Sequence, residues 1–392
     1  MGMSMPSAVP ESAGPDSGAP VHVIGAGPGG LAVAAALRAR GVDALVLERS
    51  DAVGTSWRHH YERLHLHTTR AGSALPGLRI PRRYGRWVAR ADLVRYLEQY
   101  AEHHRLRVAT GVEVRRLERT AGRQWVLHTA GGRRLTGPAV VVATGCNHTP
   151  YLPDWPGRDG FRGTLLHAAR YRDAAPFWGK DVLVAGAGNT GAEIAVDLVE
   201  GGAARVRLAV RTPPHILRRS TLGWPSQRSA VLCRRLPVPL VDRMAARVSR
   251  LSVPDLTPYG LPRPEAGLYT RVRQGALPVL DVGIVEAVRR GAVEPVAAVS
   301  AFEGEKVVLA DGTTLAPDAV IAATGYRRGL EGLVGHLGVL DADGRPLVHG
   351  PDTHPGAPAL HFLGYSNPIS GTLRELRLDA RRIARRLARA AH

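Results

Sequence analysis

The sequence predicts an α/β protein of two units, each a three-layer sandwich around a parallel sheet, and three observations carry that prediction. The turn Gly25-Ala26-Gly27-Pro28-Gly29-Gly30 recurs as Gly186-Ala187-Gly188-Asn189-Thr190-Gly191. Each turn follows a short apolar run, Val21 to Ile24 or Val182 to Ala185, and opens an alanine-rich helix. Each helix leads to a second apolar strand, Ala44 to Leu47 or Val206 to Val210. Strand, glycine turn and helix in this order form the phosphate-binding corner of a Rossmann-like domain. Glycine allows the tight turn and close backbone approach, and the helix N-terminus offers free N–H groups and partial positive charge.

The ends of the second strands differ. The first unit ends in Glu48, 23 residues after Gly25, where a carboxylate can accept both hydroxyls of a ribose. Arg49 follows and can lie over an adenine or reach a phosphate. The second unit ends instead in Arg211, whose guanidinium suits the extra phosphate of NADP that a carboxylate would repel. Unit one therefore suits FAD or NAD, and unit two suits NADPH.

Further elements follow the same logic. Asp92 is the expected N-cap of a helix running through Tyr100. Strand signals follow at 107–109, 113–117, 124–128 and 139–143, the last running into Ala143-Thr144-Gly145. Pro150 to Trp155 reads as an extended linker. Beyond the second unit come a helix near 284–290 and strands at 293–299, 306–309 and 319–322, ending in Ala323-Thr324-Gly325-Tyr326. A strand at 360–363 and a helix at 372–390 close the chain. That helix carries Leu373, Leu376, Ala380, Ile383 and Leu387 at helical spacing, a core-facing stripe.

Composition excludes several classes. The net charge of +18 invites a nucleic-acid reading, but 50 of the 52 basic residues are arginines, the exceptions being Lys180 and Lys306. They are scattered rather than gathered with aromatics into a stripe. Cys146 and Cys233 are far apart and make no CxxC, which argues against a dithiol enzyme and a cysteine zinc site. His65 and His67 share spacing suited to a metal, yet no third ligand accompanies them, and no metal is expected. Residues 1–20 lack a basic start and an apolar core and read as a disordered tail. No apolar run reaches membrane-spanning length, so a cytoplasmic protein without membrane or nucleic-acid partners is expected. A homodimer is compatible with this reading.

Between the turns lies Phe161-Arg162-Gly163-Thr164-Leu165-Leu166-His167-Ala168-Ala169-Arg170-Tyr171. This matches the pattern F-x-G-x-x-x-H-x-x-x-Y/F, and here the sequence resembles the flavin-containing monooxygenases, including the plant YUCCA-type enzymes. Glu48 to Ser50, Gly54 to Trp57, Tyr61 to His67, Pro278 to Gly283 and Ala323 to Tyr326 are similar to further blocks of that family. The resemblance spans about residues 20–385. Two departures stand out. The arginine that Baeyer–Villiger enzymes carry after their first turn is missing here, where Tyr61-Glu62-Arg63-Leu64-His65-Leu66-His67 stands. Residues 212–275 match no family block.

The resemblance implies FAD in unit one and NADPH in unit two. It also implies insertion of one atom of O2 into a small organic substrate through a flavin C(4a)-(hydro)peroxide. Oxygenation at nitrogen or sulfur, or oxidative decarboxylation of a 2-oxo acid, fits best. A Baeyer–Villiger oxidation, or a reductase without oxygen insertion, is the alternative. No catalytic residue is assigned, because the cofactor carries the chemistry and the protein supplies a dry cavity.

By position, Gly25, Gly27, Pro28, Gly29 and Gly30 form the FAD pyrophosphate turn, with Glu48 and Arg49 at the ribose and adenine. Trp57, His67 and Thr68 approach the flavin ring, and Val114 meets the adenine through its backbone. Gly186, Gly188, Asn189, Thr190 and Gly191 cradle the NADPH phosphates, with Arg211 on the 2′-phosphate. Thr144, Gly145, Thr324, Gly325, Tyr326 and Gly364 complete the cofactor contacts, and Ser366 and Asn367 follow near the flavin edge. Phe161, Gly163, His167 and Tyr171 form a hinge. The expected boundaries are 21–155 and 320–392 for the FAD domain and 156–319 for the NADPH domain, with 212–275 inserted to shape the substrate cavity.

Overall fold

The computed structural model describes residues 18–391 apart from 222, 234, 235 and 367. The tail over 1–17 and Asn367 thus lie outside the described residues. Two five-stranded sheets organise the chain. The first has the order Leu360–Phe362, Val140–Val142, Val21–Ile24, Ala44–Leu47 and Arg107–Ala109, with every neighbouring pair parallel. The second has the order Val293–Ala297, Arg205–Val210, Asp181–Ala185, Ala319–Ala322 and Thr164–His167, again all parallel.

Parallel strands need crossovers, so each sheet is buried on both faces and its strands read as near-continuous apolar runs. On one face of the first sheet lie the helices Pro28–Arg38, Arg90–His103 and Thr372–Ala391. The expected stripe of the last helix is buried, Ala380 and Ile383 completely. On the other face lies an antiparallel sheet of Val114–Arg119, Trp125–Thr129 and Arg134–Gly137. Its Trp125 is fully buried and donates its indole N–H to Pro358 O at 3.0 Å. The second unit repeats the plan, with helices Asn189–Glu200 and Ile284–Arg289 on one face. Its other face carries the antiparallel strands Val299–Glu303, Lys306–Leu309 and Thr314–Leu315.

Four expectations need correcting. The helix begins at Arg90 with Ala89 as N-cap, so Asp92 lies in the first turn and pairs with Arg95 instead of capping. The run 293–299 is two strands in two sheets, because the chain bends between Ala297 and Val299. Thr164–His167 adds an edge strand where only a hinge motif was read. The return to the first unit at residue 320 falls inside a strand of the second sheet, so the chain leaves that sheet only after Ala322.

The two crossings between units run side by side. Tyr326 and Arg327 pair antiparallel with Pro150 and Thr149, and Tyr151 N–H donates to Gly325 O at 3.0 Å. Among the described residues, no helix is long and apolar enough to cross a membrane.

His361 sits in the strand Leu360–Phe362, 1% exposed, with Nδ1 3.1 Å from Gly350 O. Burial pushes its imidazole down to about 4, so below its ordinary 6.5 the unfolded chain binds a proton that the folded one refuses. Stability is therefore fully present above pH 6.5 and is lost as the pH falls toward 4, by on the order of 3 kcal/mol for this residue. Thermal melts across that window are expected to show the slope. His361→Asn should flatten it in part, since burial also lowers His22 and His349.

Candidate functional site

The two glycine turns are built by the same close approach. Gly25 has φ +104°, and a Cβ there would lie 2.8 Å from Ala143 O; Gly186 has φ +119°, and its Cβ would lie 2.5 Å from Ala323 O. The main-chain carbonyl of the alanine in each Ala-Thr-Gly run thus packs on the first glycine of its turn, which is why that glycine cannot carry a side chain. A Cβ on Gly30 or Gly191 would stand 1.8 Å from the carbonyl oxygen of Gly25 or Gly186, so these third glycines serve the packing of helix on strand. Gly27 and Gly188 differ: a Cβ there would meet nothing within 4 Å. They are the N-caps of 11- and 12-residue helices, and neither cap is satisfied by a side chain. Open space against unpaired helix N–H groups fits a pyrophosphate at both turns.

A cleft of about 1330 Å³ runs between the units. From the expected FAD set it brings together Gly25, Gly27, Pro28, Gly29, Glu48, Arg49, Trp57, His67, Thr68, Val114, Thr144, Gly145 and Gly364, with Asn189 and Thr190 from the second unit and Tyr326 from the crossing between units. Gly30, Gly186, Gly188, Gly191, Thr324, Gly325 and Arg211 do not line it.

Glu48 is locked in place, Oε2 accepting from Ala26 N–H at 2.7 Å and Oε1 from Ser50 N–H at 3.0 Å. Each oxygen keeps a lone pair for a ribose hydroxyl. Arg49 donates to His148 Nε2 at 2.9 Å across to the linker. Asn189 uses its side chain structurally, donating to Pro278 O at 2.9 Å and accepting from Leu280 N–H at 2.8 Å, which leaves its main-chain N–H for a phosphate. The Thr324 hydroxyl is likewise spent on Tyr151 O. Arg211, exposed at the end of its strand, pairs with no acid among the described residues.

The hinge motif is polar and tied down. His167 accepts from Ala169 N–H on Nδ1 at 3.0 Å, so Nε2 carries the proton donated to Gly325 O at 3.0 Å. Burial holds this imidazole below its ordinary range. Tyr171 donates to Asp197 at 2.6 Å, and burial pushes its phenol far up. This histidine is a fixed link between units.

Sequence reasoning missed one group and left the members of another unnamed. Glu193 is buried in the second unit's helix, accepting from Tyr61 OH at 3.1 Å and lying 2.8 Å from His67 Nε2. That last contact runs off the line of a regular hydrogen bond. An acid amid Ala192, Ile194 and Ala195 was the available signal. The second group comes from the segment 212–275, expected to shape the cavity: Leu232, Val241, Met244 and Val248 of the helices Ser226–Cys233 and Val238–Ser252, with Leu236 between them, roof the cleft. Gln227 pins this roof, accepting from Thr69 N–H at 3.1 Å and donating to Ser370 O at 2.9 Å.

With this geometry in hand, the comparisons are decisive. An indole-3-pyruvate monooxygenase (YUCCA1) of Oryza sativa subsp. japonica is 37% identical over 350 residues, 88% of this chain and 86% of its own length. The chain belongs to the YUCCA-type flavin monooxygenases. A probable indole-3-pyruvate monooxygenase (YUCCA1) of Arabidopsis thaliana is 34% identical, covering 88% of this chain and 84% of its own. Residues 22–222 match the pyridine nucleotide-disulphide oxidoreductase family. The flavin-containing monooxygenase from Stenotrophomonas maltophilia superposes with TM-score 0.74 at 27% identity, over 95% of this chain and 99% of that one. Cyclohexanone monooxygenase shares the fold at 18% identity, TM-score 0.72, over 95% of this chain and 88% of its own. The protein is thus an FAD- and NADPH-dependent enzyme that inserts oxygen.

Gly27→Val and Gly30→Ala should separate the two glycine roles. Gly27→Val is expected to leave the melting of flavin-stripped protein within about 0.5 kcal/mol of the parent while abolishing flavin content. Gly30→Ala should cost roughly 1–3 kcal/mol or more in the same melts. Full flavin occupancy of Gly27→Val would refute the cradle.

Proposed function

We propose that this monooxygenase oxidatively decarboxylates a 2-oxo acid bearing an aromatic or other apolar side chain. The observation that carries the reading is the apolar roof of the cleft, set beside 37% identity to an enzyme named for indole-3-pyruvate. The balanced reaction is R–CO–COO⁻ + O2 + NADPH + H⁺ giving R–COO⁻ + CO2 + H2O + NADP⁺. FAD supplies the oxygen chemistry and NADPH the electrons. The chain's own residues bind and exclude. The turn at Gly25 to Gly30 and the Glu48 carboxylate hold FAD in the unit formed by both ends of the chain. The turn at Gly186 to Gly191 and Arg211 hold NADPH in the unit between them. Leu232, Leu236, Val241, Met244 and Val248 keep water from the reacting centre and offer surface to the apolar side chain.

A second reading is oxygenation of an uncharged sulfide or amine. What favours it is that, among the described residues, the cleft wall from 217 to 280 carries no charged side chain to meet a carboxylate.

The deciding experiment supplies indole-3-pyruvate, NADPH and ¹⁸O2. One ¹⁸O in the acid shortened by one carbon, with CO2 and NADPH consumed one to one, is the expected result. NADPH oxidation that yields only hydrogen peroxide with 2-oxo acids, but product with a thioether, would overturn the first reading for the second. Arg211→Ala is expected to raise the KM for NADPH roughly 10- to 100-fold while leaving that for NADH nearly unchanged. Equal effects on both would remove Arg211 from the 2′-phosphate.

A further inference from the structure

Glu193 is 3% exposed on the packed side of the helix Asn189–Glu200. A buried carboxylate costs several kcal/mol unless it is paired, and its partners here come from the other unit. Tyr61 donates to Oε2 at 3.1 Å, and His67 Nε2 lies 2.8 Å from Oε1. Tyr61, Glu193 and His67 thus form one polar chain from the second unit's helix to the wall of the cleft, which Tyr61 and His67 line. His60 and Arg219 feel the same carboxylate through space.

Two bare acceptors 2.8 Å apart would repel, so an ionised Glu193 requires the His67 proton to sit on Nε2. Nδ1 then remains, buried and without a hydrogen-bond partner among the described residues. We propose that Glu193 is a positioning residue for the oxygenation: reaching from the second unit, it fixes the ring and tautomer of His67, a residue of the cleft wall. The inference goes beyond the substrate assignment and does not depend on it. Because Glu193 rides on the helix that opens at the second turn, His67 is set by where that helix sits.

The test begins with the flavin-loaded enzyme carrying ¹⁵N-histidine, with the His67 signals identified by their loss in His67→Asn. At pH 8 the neutral ring with its proton on Nε2 is expected; a ring protonated on Nδ1, or on both nitrogens, overturns the proposal. Glu193→Gln should mix the two tautomers and lower kcat for NADPH-dependent oxygen uptake about tenfold, with a much smaller change in the KM for NADPH. In a His67→Asn background the same substitution should change kcat by less than about twofold. An undiminished tenfold loss there would mean that Glu193 acts independently of His67 and would refute the idea. If Glu193→Gln does not fold, the tautomer in the unsubstituted enzyme still decides.

Discussion

Everything at the cleft depends on how the two crossings between units are held together. Thr149 and Pro150 leave the first unit beside Tyr326 and Arg327, which return to it, and the four pair as a short antiparallel ribbon. Tyr151 N–H and His167 Nε2–H both end on Gly325 O, so one carbonyl is gripped by the outgoing linker and by the hinge motif. Two extended strands joined this way resist bending far better than two separate tethers would. The glycine turns of both units are consequently held facing one space, which is what passing electrons from one dinucleotide to another demands.

Within that frame the same corner is built twice and then put to different use. Ala143 O against Gly25 and Ala323 O against Gly186 are equivalent contacts, and the carbonyls of Gly25 and Gly186 abut Gly30 and Gly191 alike. The difference lies at the next strand end. Glu48 is anchored by two main-chain N–H groups, whereas Arg211 stands exposed and pairs with no acid among the described residues. A fixed acceptor and a free cation are complementary to a diol and to a phosphate respectively. The contacts of Tyr61 and His67 with Glu193 join the two units through a buried carboxylate.

Much of this was legible in the residues. Parallel strands buried on both faces give apolar runs that periodicity detects, and the glycine turns mark where each run stops. The stripe from Leu373 to Leu387 was equally plain. Illegible were features set by distant partners. Asp92 looks like a cap, but the helix starts two residues earlier because Ala89 is already bridged to His65. The bend after Ala297 is dictated by the antiparallel sheet on the far face. In the roof the helical spacing of Val241, Met244, Ala245 and Val248 is plain in the sequence, but the cavity that it faces is made by distant elements. Met244 and Val248 line the cleft yet remain about half exposed. Glu193 was invisible for a different reason: its partners lie 132 and 126 positions away, and only the folded chain brings them together.

The adjacency of the two crossings has an evolutionary reading as well. A module whose chain enters and leaves at neighbouring residues can be spliced into a host loop without rethreading the host sheet. The first unit's strands Val140–Val142 and Leu360–Phe362 are hydrogen-bonded neighbours despite the whole second unit lying between them in sequence. The host would close on itself if that module were deleted. Seen so, the ribbon is a seam at which one unit sits within the chain of the other.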